Sequence, residues 1–237
     1  MEMKCIFCQK LSDNSKSFEH VIPESMGNRD YILEPGIVCD ECNNFFSIKI
    51  EKPLLELPFF RQSRHKTNTK SKKGKIPPDE GFTIYPGISK VFIKKDKSTV
   101  ESFELEDKSI IENLNEFDYV PLITIEYCPP GLNHPLISKF LCKVAIEGLV
   151  FDVCQAKESI ENNVNQPYFD LIRRFCRFPK SNELWPYQIR RVLFTDSNEK
   201  QSADNFLKEI VTDFNYIFIK PGYLLLIISL TLTRVFR

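Results

Sequence analysis

Net charge is the first thing this sequence lacks. Its 32 Lys and Arg residues balance 32 Asp and Glu residues over 237 positions. No global field draws the chain toward nucleic acid, so any such attraction must be local. Long apolar runs are missing too. The richest, Tyr223 to Leu232 (YLLLIISLTL), falls short of the ~20 residues that a membrane-spanning helix needs. Its end alternates apolar residues with Ser and Thr, so it reads as a buried strand paired through Lys220-Pro221-Gly222 with Asn215 to Ile219. No membrane role is expected. Met1 to Cys8 offers no apolar core of a secretory signal, and the cysteines are too sparse for a secreted disulfide scaffold. A cytoplasmic chain with reduced thiols is expected. No segment repeats.

What remains is a soluble, globular composition, 42% hydrophobic and 27% charged, long enough for one good core or two modest ones. The expected fold class is α+β: an N-terminal cysteine module over residues 1–60, a basic linker over 61–80, and a mixed α+β domain over 81–237. In that last part Phe82 to Tyr85, Lys90 to Lys94 and Val120 to Tyr127 read as strands, and Asp107 to Glu116 as a short helix. Asn133-His134-Pro135 reads as the start of a helix running to about Lys157, its apolar face carrying Ile137, Phe140, Leu141, Val144, Ala145 and Gly148. Tyr168 to Arg177 is a second helix. Its Arg173, Arg174 and Arg177 fit a phosphate-facing surface or a solvated one equally well.

Chemistry concentrates in the first sixty residues. Cys5-x2-Cys8 and Cys39-x2-Cys42 are two pairs of identical spacing, and each can turn two sulfurs toward one ion about 2.3 Å away. Together they predict a structural Zn2+ whose binding energy substitutes for a missing core. The other four cysteines, Cys128, Cys142, Cys154 and Cys176, stand singly and read as small buried hydrophobes.

A zinc held by four thiolates has no open position for catalysis. A second centre is therefore needed, and Glu19-His20, followed by Val21-Ile22-Pro23, lies inside the frame. His20 could polarise a water while Glu19 holds a metal. Asn43, directly after the last knuckle and in the first turn of a helix toward Ile50, offers a hard neutral oxygen suited to Mg2+ beside one carboxylate. Taken singly, these residues also read as a turn histidine, a surface glutamate and an N-cap asparagine.

The ordered set Cys5-x2-Cys8, Glu19-His20-Val21-Ile22-Pro23 and Cys39-x2-Cys42-Asn43 resembles the zinc-containing HNH endonucleases, over about the first 60 residues. That family includes restriction, homing and phage-defence nucleases and the colicin-type DNases. The resemblance implies a treble-clef-like ββα-metal module in which two strands carry the acid–histidine pair and a helix carries the closing asparagine. It implies His20 as the general base, Glu19 and Asn43 as ligands of a catalytic Mg2+ or Mn2+, and Cys5, Cys8, Cys39 and Cys42 as zinc ligands. Cleavage would leave 5′-phosphate and 3′-hydroxyl ends and would weaken below about pH 6.5, where imidazole protonates. A restriction or phage-defence setting, with a defence-system partner or a homodimer, belongs to the same expectation. One position departs from the family: the middle asparagine that orients the base is replaced by Glu34. Asn28 lies too early to replace it.

DNA is the expected partner, held by the acid-free stretch Arg61, Arg64, Lys66, Lys70, Lys72, Lys73 and Lys75, which would neutralise phosphates without reading bases. The same stretch also reads as a mobile, solvated linker. His65 within it reads as a phosphate contact or linker residue, and His134 as a helix-start residue. The competing functional readings are a non-catalytic zinc-dependent module that binds nucleic acid or protein, and a redox or zinc sensor.

Overall fold

The computed structural model describes residues 2–84, 88–96, 101–109, 121–125, 134–178, 185 and 187, and the backbone of 206–220 and 223–236. Its strands are β1 (Glu19–His20), β2 (Ile32–Leu33), β3 (Asp79–Thr83), β4 (Ser89–Lys95), β5 (Glu101–Leu105), β6 (Leu122–Thr124), β7 (Phe206–Lys220) and β8 (Tyr223–Phe236). Its helices are α1 (Asp40–Phe46), α2 (Lys52–Leu55), α3 (Pro58–Lys66), α4 (Pro135–Gln155), α5 (Ile160–Asn163) and α6 (Asp170–Arg177). The α+β class is as expected. The helix expected from Asp107 lies, from residue 110 onward, outside the described residues. The chain divides into two compact units, Met1–Leu54 with Gly131–Arg237, and Leu55–Pro130.

The physical reason for that division lies in α4. Pro135 starts it after the N-cap His134, where a missing N–H costs nothing. Its burial is broader than one apolar stripe: Val144, Ile146 and Val150 are all buried. They pack in the same unit as β2 and a π-helical turn, Ser47–Glu51. The cysteine module thus takes its core from the second half of the sequence.

In that unit β1 and β2 pair antiparallel, Glu19 opposite Leu33 and His20 opposite Ile32. Two-residue strands cannot hold themselves together. Asn28, 1% exposed, closes the loop between them. Its Nδ2 donates to the Ile22 and Tyr31 carbonyls at 2.6 and 3.1 Å, and its Oδ1 accepts from the Asp30 and Tyr31 amides. Asn28→Ala strands these groups in a dry site, so a loss of about 1–3 kcal/mol is expected, read as a lowered midpoint in urea unfolding. An unchanged midpoint would refute the bracing role.

Strand, strand and helix follow in order, and α1 continues through the π-helical turn into α2. Pro53 supplies no N–H to the carbonyl of Lys49, and the ladder widens in the turn before it. The two-stranded β7–β8 pair has a longer register than the sequence pattern indicated, Phe206 opposite Phe236 and Lys220 opposite Tyr223.

The second unit is an antiparallel sheet in the order β5-β4-β3-β6 with α3 against β3. Gly81 is required where β6 crosses, since a Cβ there would lie 2.6 Å from the Ile123 carbonyl oxygen. The unit also corrects the expected linker. Residues 58–66 are helical, and 71–75 form a tight turn in which the Ser71 amide donates to the Lys75 carbonyl at 2.8 Å and Gly74 takes a φ of +72°. Arg61 is paired with Glu80 at 2.8 Å. Arg64 is buried, which pulls its pKa down despite the nearby Glu56. His65 is also buried, with Nδ1 2.9 Å from the Pro77 carbonyl oxygen. Neither Arg64 nor His65 offers a surface contact. Lys66, Lys70, Lys72, Lys73 and Lys75 stay exposed. Helical geometry made the difference: polar residues turned inward find partners, as Gln62 does on Asp79.

Candidate functional site

The cysteine frame is built by two local turns. Around the first, the Cys5 amide donates to Lys10, the Gln9 amide to Cys5, and Gln9 sits at a positive φ of 59°. The second knuckle opens α1: Cys39 is the N-cap and Cys42 lies in the first turn, with the Asn43 amide donating to the Cys39 carbonyl at 2.9 Å. A bond from the Ile6 amide to the Ile37 carbonyl, 3.0 Å, joins the two.

All four Sγ atoms lie within 4.8 Å of one another, and Cys8 and Cys39 are 3.7 Å apart. Sulfurs at the corners of a tetrahedron around zinc at about 2.3 Å would be separated by about 3.8 Å. The frame therefore fits a structural zinc. Among the described residues it is the one group of three or more Cys, His, Asp or Glu side chains placed to hold a metal. The thiols already interact: the bond with Cys42 holds Cys5 down to about 5, while burial pushes Cys8 up to about 11.

Next to the frame, α1 grips the chain entering β1. The Asp40 carboxylate accepts from the Lys16 and Ser17 amides and the Ser17 hydroxyl, bonds that lower its pKa, the hydroxyl's most. One turn on, Asn43 Nδ2 donates to the Phe18 carbonyl at 2.9 Å. That turns the amide oxygen the other way. Lys16, Ser17, Asp40, Asn43, Asn44 and Ser47 line an open groove here. His20 follows one residue after Glu19 and is half-buried; Glu34 lies just past the end of β2 and is exposed.

Glu19 is placed differently from a surface acid. It is 4% exposed, and its Oε1 lies 2.7 Å from Lys143 Nζ. Glu51 and Glu147 meet the same ammonium at 2.8 Å each, and the ammonium donates to the His20 carbonyl at 3.0 Å. Desolvation works against the charge on Lys143, but Glu147, Glu19 and Glu51 together raise its pKa. Burial, reinforced by the neighbouring glutamates, raises that of Glu147 against the pull of Lys143. As donors, the Glu19 carboxylate and the Asn43 amide oxygen suit a hard divalent ion, with the carboxylate already paired to a lysine.

Sequence reasoning missed Lys143 and Glu147. The available signal was a Lys–Glu pair at i, i+4 inside an otherwise apolar helical stretch. It also left Arg173 and Arg177 as surface cations. Arg173 is buried, its Nε donating to the Ile6 carbonyl at 2.6 Å. Arg177 donates through Nε to Cys42 Sγ at 3.2 Å and through an Nη to Glu41 at 2.9 Å, over the face of Phe45. Of the three, Arg174 is the exposed one.

No helix among the described residues is long and apolar enough to cross a membrane. No curated protein and no solved structure matches the chain. Residues 5–57, which hold every group of this site except Lys143, Glu147, Arg173 and Arg177, match the family model of the HNH endonucleases.

Proposed function

We propose that the chain is a metal-dependent DNA endonuclease of the HNH type, with residues 5–57 as its catalytic module. The observation that carries this reading is the coincidence of a zinc-competent thiolate frame with the Glu19-His20 strand and Asn43 inside the segment that matches the family. His20 takes the proton of a water attacking phosphorus, the P–O3′ bond breaks, and the leaving oxygen is protonated by solvent. Glu19 and Asn43 would hold a Mg2+ or Mn2+ ion, which when bound neutralises charge on the scissile phosphate. Asp40 and Asn43 fix the approach of β1, and Asn28 fixes its return. The test is nicking of supercoiled plasmid across divalent metals; absence of cleavage under every metal, with zinc bound, overturns the reading.

A non-catalytic zinc-dependent binding module is the second reading. It is favoured by Glu34 in place of the family's middle asparagine and by a Glu19 carboxylate turned onto Lys143. Full DNA affinity without cleavage would select it. For either reading, the exposed Lys66, Lys70, Lys72, Lys73 and Lys75 are the proposed phosphate contacts. Each contact contributes about 0.9 to the slope of log affinity against log salt. Replacing Lys70, Lys72 and Lys73 by alanine should thus flatten that slope by about 2.7 if all three touch phosphate. An unaltered slope in fluorescence anisotropy titrations removes the basic turn from the interface.

A further inference from the structure

A lysine on the solvated face of a helix costs little, yet Lys143 is fully buried. Its i, i+4 neighbour Glu147, 2.8 Å away, would suffice to neutralise it. Instead, the ammonium makes four contacts on three elements: ion pairs with Glu147 on its own helix, Glu51 in the π-helical turn and Glu19 on β1, and a hydrogen bond to the His20 carbonyl on β1. Buried ion pairs rarely add net stability over apolar packing of similar volume, because desolvation consumes the Coulombic gain. A cluster that costs this much and spends two of its four contacts on one two-residue strand fixes geometry. Those two contacts fall on successive residues. One sets the direction of the Glu19 carboxylate, and the other sets the peptide that carries the His20 ring.

We propose that Lys143, from outside the family-matched segment, is a positioning residue of the nuclease site. It aligns Glu19 as a metal ligand and His20 as the base. This rests on the reading of Glu19 and His20 given above. Carboxylates that ligate metals are themselves held by outer partners, whose loss typically weakens metal affinity or activity by about 10–100-fold.

The test is Lys143→Met in the full chain, with zinc content, Mn2+ binding by calorimetry, and the kinetics of plasmid nicking. The expected result is parental zinc content, Mn2+ affinity lowered about 10–100-fold, kcat lowered by a similar factor, and an unchanged KM for DNA, since a fully buried lysine cannot touch it. A merely structural lysine would reduce the number of Mn2+ sites as protein unfolds while leaving the affinity of the remainder intact, and that outcome overturns the proposal. So does a parent chain that binds no Mn2+. Should Lys143→Met lose zinc, the pair Lys143→Met with Glu147→Leu, which removes both helix charges together, carries the same measurement. The nuclease reading fails separately: a parent that binds Mn2+ in a Lys143-dependent way but never nicks DNA upholds the positioning role and sinks the catalytic one.

Discussion

His20→Ala is expected to lower plasmid nicking by about 10²–10⁴-fold, the range for removing a positioned general base. Zinc content and unfolding midpoint should stay at the parental values. The separation follows from where the residue sits. Its side chain is half-buried, so truncation opens no large cavity, and its main-chain carbonyl, which receives Lys143 at 3.0 Å, is untouched. The four sulfurs lie on other elements, the first knuckle and the N-cap and first turn of α1. Cleavage should be measured under both Mg2+ and Mn2+, with zinc determined on the same sample. Parental cutting by the zinc-loaded variant would rule out His20 as the base, and with it the proposed mechanism.

Stripping zinc, or replacing Cys42 by serine, is expected to have the largest effect on folding. Apparent binding energies of structural zinc in small modules run to about 10–16 kcal/mol near neutral pH. That exceeds most of the about 5–15 kcal/mol by which domains are stable at all. Cys42 is fully buried and its sulfur accepts from the half-buried Arg177, so a serine there loses a ligand and leaves the guanidinium contact poorly matched. The Phe7–Phe46 edge-to-face pair, centroids 4.5 Å apart, joins the first knuckle to α1 and should loosen with it. Circular dichroism with and without a strong chelator reads this directly. Retention of the parental melting curve after complete zinc removal would show that the frame folds without metal. A frame that instead released zinc under mild oxidant would point to the sensor reading.

Residues 5–57 were legible because their information is local. Two-residue spacing between cysteines, an acid beside a histidine, and an asparagine after the last knuckle are covalent neighbours, and short-range geometry places them in a turn, a strand and a helix start. His134-Pro135 announced α4 for the same reason. The basic stretch was misjudged because a tally of charges ignores direction: once Pro58 begins a helix, three- and four-residue intervals send Gln62 and His65 inward together. Glu19 likewise read as an open acid because its partner lies more than a hundred residues away.

By itself, then, the sequence determined the paired-cysteine frame and the α+β class, and it marked Glu19, His20 and Asn43 as the candidate groups beside that frame. The tertiary structure alone decided what surrounds them: Lys143 under β1, Arg177 on the Cys42 sulfur, Arg173 on the first knuckle, and a unit that joins Met1–Leu54 to Gly131–Arg237. The reason is desolvation. A lysine or arginine in a sequence reads as a surface charge, and only packing shows which of them has been taken out of water and must be paired.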